Sequence, residues 1–230
     1  MFEYLYDFLN LLFPDECVLC HFSLSRNEKQ LCNRCFLKLP RVDEFSIKSN
    51  EIKNTFAGRI NIDRAESFLV YSKRNPVQTL LQELKYNNNP TLAFFLGACF
   101  AQEKVNSGIF TGVDFLLAVP LHPKKQKERG YNQSEQIALG IQEITKIPYF
   151  PEVILKNQHT STQTKKKRSD RQEAAKYGYQ LNKAEGIAGK KILLIDDVLT
   201  TGATLEACAT TLIGVAAGVS IATIAYSRKT

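Results

Sequence analysis

The chain has 230 residues, 44% hydrophobic and 23% charged, with six cysteines and a formal charge of +7. That balance excludes a disordered chain and suits one ordinary domain plus a small one, and no apolar stretch reaches the length of a membrane-spanning helix. The first dozen residues are apolar but carry Glu3 and Asp7, and the first basic residue is Arg26. This argues against a secretory signal and makes the cytoplasm the expected location.

Residues 2–13 place apolar side chains at helical spacing and stop before Pro14, which predicts a helix. Residues 14–39 hold four of the cysteines, and 41–64 turn polar and poorly periodic, the pattern of a linker. A strand is expected at 68–71, a helix at 77–86, a turn at 87–90 (NNNP) and a nearly all-apolar, buried helix at 91–104. Then come a strand at 113–119, a loop through Gly130, an amphipathic helix at 132–145 and a strand at 150–155. A long polar stretch covers 158–176, followed by a continuously apolar strand at 190–195, a helix at 202–213 and a last strand at 219–225. Single helices between strands imply parallel crossovers, and all-apolar strands imply burial on both faces. The expected fold is α/β, an open parallel sheet with helices on both faces plus a small N-terminal metal-binding module. The expected division is 1–40 for helix and module, 41–64 for the linker and 65–230 for the sheet domain.

The cysteines fall into two groups. Cys99 and Cys208 lie alone in apolar, helix-like runs and read as small core residues. The others follow the spacing Cys17-x2-Cys20-x11-Cys32-x2-Cys35. Each C-x-x-C turn aims two thiolates at one ion, and four thiolates leave no open position for water, so the expected metal is structural Zn2+. A redox dithiol or four unrelated thiols are the competing readings, and His21 reads as a surface residue beside Cys20.

Between Leu121 and Arg171 there are eleven basic and five acidic residues, so most of the positive charge sits in one segment. Such a field suits a polyanion, either a nucleic acid or a phosphorylated small molecule.

The densest information lies in residues 192–204, ILLIDDVLTTGAT. A buried strand ending at Ile195 delivers Asp196 and Asp197 to the carboxyl edge of the sheet, where open α/β sheets bind ligands. Thr200, Thr201, Gly202, Ala203 and Thr204 then open a helix, whose unpaired N–H groups, dipole and hydroxyls are built for a phosphate. Phosphate beside carboxylates that hold hydroxyls or a hydrated cation describes a phosphorylated sugar. No G-x-x-x-x-G-K-[ST] motif occurs, which counts against a P-loop ATPase.

This segment resembles the phosphoribosyl pyrophosphate (PRPP) signature of type I phosphoribosyltransferases. The resemblance implies that Asp196 and Asp197 hold the ribose hydroxyls, that Thr200, Thr201, Gly202, Ala203 and Thr204 wrap the 5′-phosphate, and that Mg2+ bridges ribose and pyrophosphate oxygens. With the four-cysteine module, the segment 119–134 (VPLHPKKQKERGYNQS) and Thr160-Ser161-Thr162-Gln163, in this order, nearly the whole chain resembles the ComF family of competence-associated proteins. That resemblance puts Leu121 and His122 in a pyrophosphate-binding loop, lets Arg129-Gly130-Tyr131-Asn132-Gln133 open the next helix, and makes Thr160, Gln163 and Arg171 part of a mobile loop. Two positions depart from the pattern: Ala174 stands where asparagine is expected and Lys166 where leucine is usual.

The implied activity is phosphoribosyl transfer from PRPP, in DNA uptake and natural transformation, to an acceptor the sequence does not name. Arg129 with Lys165, Lys166, Lys167 and Arg168 would stabilise the departing pyrophosphate. The alternative is a non-catalytic module that binds single-stranded DNA or senses PRPP, its lysines on the phosphate backbone and Tyr131, Tyr177 and Tyr179 stacked on bases. Implied partners are PRPP, single-stranded DNA, and DNA-uptake or recombination proteins. His122 and His159 are secondary candidates for catalysis.

Overall fold

The computed structural model describes residues 14–45, 47–156 and 178–227. The helix expected over 2–13 lies outside them. So do Thr160, Gln163, Lys165, Lys166, Lys167, Arg168 and Arg171, along with His159, Ala174 and Tyr177.

Four parallel strands form the central sheet: β1 (Ala65–Tyr71), β2 (Phe115–Ala118), β5 (Lys191–Leu199) and β6 (Gly218–Ser227), ordered β1-β6-β5-β2. Their inner residues are mostly apolar on both faces, as burial between two helical layers demands, and the buried Ser67 and Thr223 hydroxyls bond each other at 2.6 Å. One layer holds α3 (Pro76–Tyr86), α4 (Pro90–Lys104) and α6 (Gln133–Thr145); on the other face lie α7 (Ala184–Ile187) and α8 (Ala203–Leu212). Helices α4 and α6 meet backbone to backbone. A Cβ on Gly97 would fall 2.2 Å from the Ile137 carbonyl oxygen, and one on Gly140 2.0 Å from that of Phe94. Only glycine fits either position.

Three expectations need correction. Residues 123–129, expected as loop, form α5 (Pro123–Arg129), which Pro123 opens and Gly130 closes in the left-handed region at φ 76°. A helix exposed nearly all round has no hydrophobic period to betray it. The strand expected at 150–155 is instead β3 (Ile154–Lys156), antiparallel to β4 (Tyr179–Leu181) outside the main sheet. Tyr149 alone bridges Leu116 on the outer edge of β2. Finally, β5 does not stop at Ile195. It continues through both aspartates and pairs with β6 as far as Leu199.

The stretch 41–64 carries short helices, among them α2 (Ser49–Asn54), and buries Val42, Ile47, Ile52, Phe56 and Ile62. Their uneven spacing hides them from a periodicity search. Val42 N–H donates to Phe68 O at 3.0 Å and Val70 N–H to Pro40 O at 2.8 Å, so this segment covers the free edge of β1. Lys104, with its side chain 5% exposed, binds Asp43 at 2.7 Å and lies 3.7 Å from buried Glu66. The cysteine segment, including α1 (Asn33–Leu37), shares the sheet's core through Cys17, Leu31 and Leu39.

Candidate functional site

The sheet's topological switch point lies between β2 and β5. After β2 the chain moves outward to Tyr149; after β5 it moves the other way through α8 to β6. Loops leaving in opposite directions open a crevice at the carboxyl ends of these strands. Beta-strand β2 pairs with β5 only as far as Ala118 opposite Ile195, and Val119 N–H then donates to Ile195 O at 2.9 Å. So the segment 120–122 departs directly beside Asp196 and Asp197.

The acid pair is held asymmetrically. Asp196 Oδ1 accepts from Ser134 Oγ and from the Asp197 N–H, each at 2.9 Å. Ser134 sits in the first turn of α6, behind the cap in which Asn132 accepts from the Ser134 N–H and donates to Val119 O. Burial first, and the neighbouring Asp197 charge second, push the Asp196 carboxyl up to about 7, against the pull of its two donors. Asp197, 8% exposed, is paired with Lys85 at 3.0 Å.

The phosphate-binding candidates form a tight turn. Gly202 is left-handed at φ 80° as the N-cap of α8, and Ala203 N–H donates to Thr201 Oγ1 at 3.4 Å. Thr200, Thr201, Ala203 and Thr204 are exposed, and with Gly202, Asp196 and Val198 they line a small cavity of about 30 Å3. Arg59, from the stretch before β1, buttresses this loop by donating to Thr201 O at 3.1 Å and pairing with Glu206.

Leu121 and His122 lie at the start of α5, where His122 Nδ1 accepts from the Lys124 N–H at 3.2 Å. Here His122 serves as a helix cap. Arg129 donates to Gln133 Oε1 at 3.0 Å, and Gln133 donates in turn to Leu84 O near the end of α3. Tyr131 is buried, its hydroxyl donating to Leu84 O at 2.8 Å with Asn89 O at 3.2 Å, and Tyr179 is 4% exposed. Neither is available to stack on a base. A Cβ on Gly130 would fall 2.9 Å from Asn88 Oδ1, so the Arg129–Gln133 segment and the 87–89 turn interlock.

Ser134, Lys85 and Arg59 are site residues that sequence reading missed. Ser134 was within reach, one position beyond the recognised RGYNQ run. Lys85 carried only the signal of a lone basic residue ending a helix, and Arg59 lay in a stretch read as linker.

Away from the crevice, the sulfur atoms of Cys17, Cys20, Cys32 and Cys35 all lie within 4.8 Å of one another, a cluster able to hold a metal ion. Burial is the largest single influence on the Cys17 thiol and raises it, but backbone N–H groups of Cys32, Cys20 and Leu19 outweigh burial and bring it to about 7. Among the described residues, no helix is long and apolar enough to cross a membrane.

The phosphoribosyl transferase domain family matches residues 134–230. Competence protein F of Haemophilus influenzae is 28% identical over 136 residues, 57% of this chain and 59% of that protein. The DNA utilization protein YhgH of Escherichia coli O157:H7 is 26% identical over 60% of this chain and 61% of its own length. The chain thus spans about three fifths of both relatives. Competence protein ComFC of Bacillus subtilis is 28% identical over 225 residues, 95% of this chain and 88% of its own. Residues 134–230 thus match the phosphoribosyl transferase domain family, behind a cluster of four cysteines, and the chain as a whole is similar to ComF-type competence proteins.

Proposed function

We propose that this chain binds PRPP at the crevice between β2 and β5 and transfers its phosphoribosyl group to an acceptor during DNA uptake. The observation that carries this reading is the placement of the Asp196–Asp197 pair between the exposed Thr200–Thr204 turn and the 120–122 segment. Ribose hydroxyls fit the carboxylates, the 5′-phosphate fits the turn, and the pyrophosphate fits the loop that starts α5. Asp196 and Asp197 accept from the 2′- and 3′-hydroxyls, while Thr200, Thr201, Thr204 and the free N–H groups of the turn donate to the phosphate. Held at both ends, the sugar has its anomeric carbon fixed, and positioning together with stabilisation of the leaving group supplies the rate. Two carboxylates at a solvent-reached sheet edge also fit a hydrated hard cation, and Mg2+ there would neutralise pyrophosphate oxygens while kept mainly by water and substrate.

We further assign structural Zn2+ to the cysteine cluster. A tetrahedral site with Zn–S bonds of about 2.3 Å requires sulfur–sulfur separations of about 3.8 Å. Cys20 Sγ and Cys32 Sγ stand 3.7 Å apart. The link to DNA uptake comes from the competence and DNA utilization names of the relatives. It is supported if a strain lacking the gene loses transformation and a copy carrying Asp196→Asn and Asp197→Asn fails to restore it. Restoration by that copy would separate the DNA role from the PRPP site.

A further inference from the structure

Lys85 reaches the acid pair from outside every motif that marks the site. Its helix, α3, ends against the Arg129–Gln133 segment: the Leu84 carbonyl accepts from both Tyr131 OH and Gln133 Nε2, each at 2.8 Å. That double lock fixes the backbone one residue before Lys85 and aims its stem at β5, where Nζ stands 3.0 Å from Asp197 Oδ2.

We propose that Lys85 is the free protein's stand-in for a divalent cation, neutralising Asp197 until cation and sugar arrive and then giving way to them. The inference rests on the reading of Asp196 and Asp197 as a ribose and cation site. Four observations carry it. Asp197 is 8% exposed, and a carboxylate so covered needs a positive partner. The Lys85 side chain is 24% exposed and its stem is flexible, so the ammonium can withdraw into water. Among the described residues the Asp197 carboxylate is its one recorded polar contact, so nothing else pins the ammonium in place. And where both carboxylates are ionised, one ammonium leaves the pair with one uncompensated negative charge, whereas a divalent ion cancels both. Exchange of lysine for metal therefore has an electrostatic drive. Because the ammonium and the metal compete for the same carboxylate, removing the ammonium must tighten the metal by the factor by which it had weakened it.

The test uses the full-length, zinc-loaded protein and Mn2+ as probe. Free Mn2+ is followed by electron paramagnetic resonance, and PRPP binding by calorimetry across a Mg2+ series. Lys85→Met should bind Mn2+ about tenfold more tightly and reach half-maximal PRPP binding at about tenfold lower Mg2+. Lys85→Arg keeps the charge and grips a carboxylate with two donors, so it should shift both in the opposite direction. A lysine with a merely structural role would lower the melting temperature of Lys85→Met and leave the Mg2+ requirement where it was. If the wild type binds Mn2+ and PRPP but Lys85→Met needs as much metal or more, the stand-in role is overturned and the site reading survives. If the wild type binds neither, the site reading itself falls, and the role of Lys85 with it.

Discussion

Replacing Asp196 by asparagine should make the protein more stable at pH 8 while abolishing its affinity for PRPP. The burial of this carboxyl and the charge of Asp197 raise it to about 7. A group whose folded value is raised loses stability for the fold as pH climbs from its unfolded value, near 4, to its folded one. At about 1.4 kcal/mol per pH unit, keeping Asp196 ionised above pH 7 costs the fold up to about 4 kcal/mol. Asparagine keeps the acceptor that Ser134 Oγ and the Asp197 N–H use, but brings an amide that must itself be solvated at a half-covered position. A net gain of about 2 kcal/mol, or roughly 5 °C in melting temperature, is therefore expected at pH 8. Urea denaturation of the two proteins at pH 8, 6 and 4.5 reads it directly. The gap should be widest at pH 8, shrink below about 1 kcal/mol at pH 6 and reverse by about 1 kcal/mol at pH 4.5, where the wild-type carboxyl is protonated in the fold. An Asp196→Asn protein less stable than wild type at pH 8, or a gap independent of pH, would refute the argument.

Other perturbations separate the parts of the molecule. Cys32→Ser should lose stoichiometric metal, measured by elemental analysis, and unfold several degrees earlier, because a structural site contributes folding energy directly. Gly202→Ala meets both a left-handed φ of 80° and Phe56 Cε1 at 2.9 Å from the new Cβ, so the phosphate turn must shift. PRPP affinity should fall about tenfold or more while metal content in the cysteine cluster is unchanged. Lys104→Met removes the cation between Asp43 and Glu66 and leaves Glu66, 5% exposed, with the Ser49 hydroxyl donating to it but no ion partner. A loss of about 3 kcal/mol in chemical denaturation is expected; no loss would refute the stabilising role of the Lys104 ion pairs.

The sheet, its helical layers and the acid pair could be read from the sequence because they rest on long apolar runs and on a dense motif. What stayed hidden has a physical pattern. Helix α5 turns almost every side chain to water, and the buried residues of 41–64 follow no period. The end of β5 was placed at Ile195 because polarity begins there, yet backbone pairing with β6 ignores side-chain polarity and runs on to Leu199. Lys85 and Arg59 act at the site only because the fold brings 85 to 197 and 59 to 201, pairings no local motif encodes. Of the tyrosines considered for base stacking, Tyr131 is taken up by the Leu84 and Asn89 carbonyls, a tertiary contact no local pattern encodes.

The central claim, that the crevice beside Asp196 and Asp197 is a PRPP site, is met most directly by isothermal titration of the zinc-loaded protein with PRPP, with and without Mg2+. The account predicts saturable binding that requires Mg2+ and disappears in the Asp196→Asn, Asp197→Asn double variant. PRPP that fails to bind the wild type, or that binds the double variant equally well, would contradict it.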